Sequence, residues 1–461
     1  MFRPKLITLL FLNKQKRVVN MSKKLILIAA FFLFQFGLNA QGEKIDFTEY
    51  DLPNGLHVIL HEDHSTPIVA VSVMYHVGSK NEQPDRTGFA HFFEHLMFEG
   101  SENIPRGKYF KIVQGNGGTL NANTTFDRTF YYEVFPSNEL ALGLWLESER
   151  MLHLKIDSIG VETQRKVVKE EKKQRLDNQP YGSLIEEVFK HSYKVHPYRW
   201  TPIGSDQYID KASIDEFMEF YKTYYVPNNA TLSISGDINI DEAKELISKY
   251  FADIPRGTRK MNRPTVVEPP IQSEIRDTVY DNIQLPAVIE TYRIPAQGTP
   301  DYYAINMLTT LLSEGKSSML QKTLVDKKQV ALYTGAFPFA LEDPGVFIIF
   351  AISNAGVDPK TVEKDIDSII TKVRTSEISD KEFEKLQNQV EADFVSQTST
   401  NMGIAEQLAN YYVYFGDANL INTEIERYRK ITKEDLLKAA QKYFNPNSRV
   451  VLYYLPKSAK K

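Results

Sequence analysis

"SIDEFMEFYKTYYVPNNATLSISG" (213–236) recurs as "TKEDLLKAAQKYFNPNSRVVLYYL" (432–455), aligned without a gap at an offset of 219 residues. In each copy Ser213 or Thr432 precedes a helical run, and an acid, Glu216 or Asp435, stands three residues on, the pattern of a capping box. Both copies then pass through an aromatic pair, Tyr224-Tyr225 or Tyr443-Phe444, to a Pro-Asn turn and an apolar strand. Two related halves account for this. The stretch "IPRGTRKMNRPTVVEPPIQ" (254–272), rich in Pro and basic residues, reads as the connection between them.

Outward from the repeat, "LHVILHED" and "IVAVSVMYHVG" alternate as strands and are expected to pair, with "FYYEVFP" as a third. Helices are expected around 136–152, 161–176 and 240–251. The fold class is therefore α+β: two homologous domains, each a mainly antiparallel sheet packed with helices. The expected boundaries are 44–256 for the first domain, 257–272 for the linker and 273–457 for the second domain. A chain of 461 residues has room for such a pair of cores.

Residues 1–40 read as a targeting segment. Lys23-Lys24 opens "MSKKLILIAAFFLFQFGLNA" (21–40), an apolar stretch follows from Leu25 to Leu38, and Ala40 is a small residue at a plausible cleavage point. The stretch is shorter than the roughly 20 residues a spanning helix needs and is interrupted by Gln35, which favours a secretory signal over an anchor. The expected location is periplasmic, with no stable membrane span after signal removal. Taking away the seven Lys and Arg of this segment moves the formal charge from −4 to −11, a poor match for nucleic acid. The chain has no cysteine, so a metal must be held by His, Asp or Glu.

Such a set begins in "GFAHFFEHLMFEG" (88–100). On a helix, His91, Glu94 and His95 project from one face, with Thr87 able to cap its start and Gly100 able to end it. Two imidazoles at i and i+4 reach one zinc ion, and a carboxylate between them is placed to take a proton from water. A solvated face with two incidental histidines would show the same five letters. A third ligand is sought in "VETQRKVVKEEKKQRLDNQP" (161–180). There Glu171 follows Val168 and Val167 at i−3 and i−4, which places it inward, where a metal ion or a salt bridge to an arginine or lysine would equally satisfy its charge, whereas Glu170 has Lys166 and Lys173 for neighbours and faces water.

With these residues the chain resembles the pitrilysin/insulinase zinc metallopeptidases, the inverzincins, whose motif is His-X-X-Glu-His followed by a distant glutamate. "LPNGLHVIL", "LNANTTFDRTFYYEVFP", "HPYRWTPIG" and the terminal repeats extend the resemblance over essentially the whole mature chain. It implies one Zn2+ per chain on His91, His95 and Glu171, with Glu94 as the general base of a zinc endopeptidase. It also implies that Asn121, Ala122 and Asn123 form a strand edge to which an extended peptide substrate adds. The composition of "GNGGTLNANTT" would equally suit a flexible loop. Gln164 stands where the family often has an acid, seven positions before the ligand glutamate, and is expected to orient the ligand by hydrogen bonding.

The second half departs from the pattern. All nine histidines lie at or before His196, and no arginine occurs between Arg293 and Arg374. Full-length relatives use an arginine and a tyrosine from this half at the active site, and here Val325 and Leu332 occupy those positions, with Tyr333 one step off. The resemblance therefore implies a heterodimer in which a related subunit, rather than a second copy, supplies the Arg/Tyr pair. The competing function is a non-catalytic assembly or peptide-binding subunit, against which the intact His91, Glu94, His95 and Glu171 argue. A thermolysin-like reading is set aside because the motif order is reversed.

Overall fold

A computed structural model describes residues 44–460; the targeting segment expected at 1–40 lies outside the described residues. Strands β1 (Thr48–Asp51), β2 (His57–Glu62), β3 (Ile68–Tyr75), β4 (Thr119–Thr124), β5 (Thr129–Pro136) and β6 (Ala230–Gly236) form one sheet, ordered β1-β2-β6-β3-β5-β4. The second sheet contains β7 (Ile275–Asp281), β8 (Ala287–Arg293), β9 (Ala331–Phe339), β10 (Val346–Ser353) and β11 (Arg449–Pro456), ordered β7-β11-β8-β10-β9. Each sheet has one parallel pair, β2 with β6 and β11 with β7, and is otherwise antiparallel. Apart from β1, the two orders match strand for strand, so the repeat read in the sequence is a repeat of topology.

Six helices carry the site and join the halves: α1 (Phe89–Leu96), α2 (Ser158–Lys172), α3 (Leu184–Ser192), α4 (Ile214–Tyr224), α5 (Asn401–Phe415) and α6 (Lys433–Tyr443). Helices α4 and α6 are the two copies of the quoted repeat, and both capping boxes form: Ser213 Oγ accepts from the Glu216 amide at 3.2 Å and Thr432 Oγ1 from the Asp435 amide at 3.1 Å. The helices expected around 136–152 and 240–251 occupy Leu140–Leu152 and Ile240–Phe251, and the one expected at 161–176 is α2. No helix or strand lies between Phe251 and Ile275.

The expected pairing of β2 with β3 is corrected: β6 lies between them. Every residue of β6 is buried, the hydroxyl-bearing Thr231, Ser233 and Ser235 included, and a strand with no solvated face takes an inner position that sequence neighbours would otherwise share.

Each sheet is completed by a helix from the other half. Helix α3 packs Val188 and Phe189 against Ile289, Ile348 and Leu452 of the second sheet. Helix α5 returns the arrangement by laying Ala409 against Met74 and Phe130 of the first sheet. The 219-residue offset that relates α4 to α6 also carries Leu184 onto Gly403, so α3 and α5 are equivalent elements that have crossed over. An ionic junction lies between the halves. Lys80, only 5 % exposed, meets Asp127 (3.0 Å), Glu342 (2.5 Å) and Asp343 (3.2 Å), and His76 Nε2 reaches Glu342 at 3.0 Å.

Candidate metal centre

Helix α1 is amphipathic. Phe89, Phe92 and Phe93 turn inward and stack on Phe217, Phe220 and Tyr221 of α4, which leaves His91, Glu94 and His95 on the opposite side. Burying three such rings stabilises the helix by about 1.5–3 kcal/mol each, far more than the propensity of so short a helix supplies.

The helix start corrects the sequence reading. Thr87 does not cap it. Gly88 is the N-cap at φ +96°, and the buried Glu82 carboxylate accepts from the Gly88 amide (2.9 Å) and the Ala90 amide (2.8 Å). Burial pushes the Glu82 carboxyl up to about 8, and the backbone amides oppose that shift. Gly204, at φ +64°, backs onto Gly88 so closely that a Cβ there would stand 2.3–2.5 Å from the Gly88 and Thr87 backbone. The helix ends at Leu96, before the expected Gly100.

Helix α2 is capped by Asp157, whose Oδ1 accepts from the Gly160 amide at 2.8 Å, and it packs against α1. Val168 is buried as expected, but Val167 is 43 % exposed, so only half of the apolar face inferred around Glu171 exists. Glu171 nevertheless turns inward, and Glu170 faces out, accepting from Gln174 at 2.8 Å.

One ligating atom from each of His91, His95 and Glu171 lies within 4.8 Å of the others, the only such group among the described residues. Glu171 Oε2 is 3.0 Å from His95 Nε2 and 3.6 Å from His91 Nε2. That oxygen is buried and receives no well-aligned hydrogen bond. The other oxygen, Oε1, pairs with Arg175 Nη1 at 2.7 Å. Burial, and next the neighbouring His95, push the His91 imidazole down to about 4, so it is neutral and one ring nitrogen has a lone pair to donate. His95 is the first cause holding the Glu171 carboxyl below the usual carboxylate range, with His91 and Arg175 adding to it. Two nitrogen bases and one unbonded buried carboxylate oxygen facing a common point form a donor set that fits zinc.

Glu94 shares a cavity of about 830 Å³ with His95 and Glu171. Burial raises its carboxyl, opposed chiefly by the Thr124 hydroxyl, which donates to Oε2 at 2.6 Å. Asn121 and Ala122 line the same cavity on β4, an edge strand paired only with β5. The Ala122 amide donates to the Asn121 side-chain Oδ1 at 2.9 Å, and Asn123 Oδ1 accepts from Arg128. Gln164 also lines the cavity, but its Nε2 donates to Glu99 Oε1 (2.5 Å) and its Oε1 has no partner, so it does not orient a ligand as expected. In the second half, Val325 is half-buried against the core, and Leu332 (60 % exposed) is the extra residue of a bulge in β9 beside Tyr333 (58 % exposed).

The residues not foreseen are Glu82, Thr124 and Arg175. Arg175 follows Glu171 at i+4, a spacing the sequence offers. The other two depend on loops and strands meeting α1, which no local pattern reports.

The description "Insulinase (Peptidase family M16)" matches residues 57–201 and "Peptidase M16 inactive domain" matches 211–390. The zinc protease PqqE of Helicobacter pylori is 32% identical over 439 residues, 94% of this chain and 99% of that one. A crystal structure of a protease from Helicobacter pylori superposes with a TM-score of 0.85 at 32% identity, covering 89% of this chain and 100% of that one. The first half of the periplasmic protease PqqL from Escherichia coli shares the fold, with a TM-score of 0.72 at 19% identity over 89% of this chain and 92% of that one. The two matched sheets are thus an architecture shared with solved protease structures. The chain belongs to the insulinase (M16) family of peptidases.

Proposed function

We propose that this chain is a zinc-dependent endopeptidase that cleaves extended peptides or small unfolded polypeptides. His91, His95 and Glu171 hold one zinc ion, and Glu94 is the general base. The observation that carries the reading is the buried, unbonded Glu171 Oε2 facing both Nε2 atoms, with Glu94 in the same cavity. When bound, zinc supplies Lewis acidity, polarising a carbonyl and making water acidic. Arg175 holds Glu171 Oε1 and so leaves Oε2 turned toward the histidines. Thr124 pins Glu94 Oε2, and the other oxygen takes the proton of the attacking water and returns it to the leaving amine.

The substrate adds to the open edge of β4 at Asn121, Ala122 and Asn123. The Ala122 amide is held there only by the preceding side chain, an acceptor that a peptide carbonyl displaces. Val325 and Leu332 stand where full-length relatives have an arginine and a tyrosine, a pair we assign to a related second polypeptide closing over the cleft. The periplasm is the proposed location. The basic-then-apolar leading segment supports this, and no described helix is long and apolar enough to cross a membrane.

Glu94→Gln is expected to keep its zinc by elemental analysis and to lose about a hundredfold or more of its peptide cleavage. His91→Ala and Glu171→Ala lose the metal. Cleavage by Glu94→Gln at the wild-type rate would sink the assignment. Zinc bound by a wild-type chain that cuts nothing, alone or with its co-purifying partner, would favour the non-catalytic subunit.

A further inference from the structure

We propose that the metal-free half aims the third ligand of the zinc site: Tyr181, anchored on the second half, is a positioning residue that acts on Glu171 through Arg175. This inference rests on the zinc reading above. The Arg175 side chain is 77 % exposed, and an exposed ion pair along one helix contributes little by itself. It can fix Glu171 Oε1 only if the backbone that carries it is fixed.

That backbone leaves the α-helical path just past the ligand. Lys173–Asp177 form a π-helical turn, closed by the Asn178 amide on the Lys173 carbonyl at 2.9 Å, five residues back. The chain then folds back over the turn. Gln179 Nε2 donates to the Gln174 carbonyl at 2.8 Å, and Gly182 comes so near that a Cβ there would stand 2.0 Å from the Leu176 carbonyl oxygen. Between Gln179 and Gly182, Tyr181 stands at φ +59°, a left-handed conformation that is strained in a residue bearing a Cβ. The second half holds it there. Asp281 Oδ2 accepts from the Tyr181 amide (2.9 Å), the Tyr181 hydroxyl donates to the Leu285 carbonyl (2.6 Å), and its ring lies beside that of Tyr454 on β11.

The other copy of the duplication is the natural control. The 219-residue offset carries Glu171 onto Val390, Arg175 onto Phe394 and Tyr181 onto Thr400. There the helix Asp380–Gln397 continues as an α-helix past the equivalent place, and Thr400 sits at φ −131°, in ordinary extended backbone. Of the two copies, only the one with the glutamate and the arginine has the widened turn and the strained residue. Strain kept beside the ligand and absent where the ligand is absent points to a device that serves the ligand.

The test is a double-mutant cycle on the full chain, read as zinc affinity by competition with a chelator. Asp281→Ala removes the acceptor of the Tyr181 amide, and Arg175→Gln removes the charge that holds Glu171 Oε1. Each should weaken zinc binding about tenfold, and the two together by the same tenfold rather than a hundredfold, because one acts through the other. Unchanged affinity in Asp281→Ala, or losses that multiply, would overturn the proposal. If Asp281→Ala melts early, Tyr181→Phe, which loses only the hydroxyl bond to Leu285, takes its place in the cycle and is read in the same way. Zinc bound by a chain that cuts no peptide would end the peptidase reading while the cycle still decides this one. A wild-type chain that binds no zinc would end both.

Discussion

Glu171 divides its oxygens between two tasks, Oε1 on Arg175 and Oε2 toward the imidazoles, and Glu94 is arranged in the same way by Thr124. A carboxylate with one oxygen pinned presents the other in a fixed direction, which a proton-transferring group requires. Thr124→Val keeps the shape but removes the donor to Glu94. A hydrogen bond to a charged group contributes about 1.5–3 kcal/mol, so turnover should fall about tenfold or more while zinc content stays the same. Loss of zinc along with turnover would show that Thr124 supports the helix rather than the base. At this scale the sequence was informative: the four residues His91, Glu94, His95 and Glu171 come together as their spacing and the family resemblance led us to expect. Gln164 does not join them, because Glu99 lies within its reach and takes its amide.

The element that carries the site, α1, is only eight residues long and is held from outside. Its aromatic face packs on α4, its first amides bond Glu82, and its N-cap Gly88 lies against Gly204 of the loop "HPYRWTPIG". Gly204→Ala places a methyl group against backbone atoms and forces an L side chain into the left-handed region. A cost of about 2–4 kcal/mol is expected, read as a lower denaturation midpoint with weakened zinc retention. A midpoint and zinc content equal to wild type would show that the loop can move away from α1. The elements legible in the sequence were those whose signals are local: the capping boxes at Ser213 and Thr432 and the periodicity of α2. What was not legible depends on distant neighbours. The cap of α1 comes from a carboxylate six residues upstream on another turn, and β6 enters between β2 and β3 from more than 150 residues away.

Across the whole molecule the halves meet through crossed helices and the Lys80 junction. Burial alone would raise the Glu342 carboxyl, but His76 and Lys80 outweigh it and hold it down to about 2. A carboxyl depressed in the folded state contributes stability that is fully present above its unfolded value of 4.5 and is lost as pH falls toward 2. Protection factors in α5, exchange measured relative to the intrinsic rate at each pH, should therefore fall on acidification through that window, and Lys80→Met should move the onset to higher pH. An unshifted onset would place the acid-sensitive contact elsewhere. The crossed helices also bear on ancestry. Once each copy of a doubled gene had lent a helix to its sibling, neither could be discarded without unroofing the other. A second half that carries no histidine is thus still retained, free to drift toward new duties.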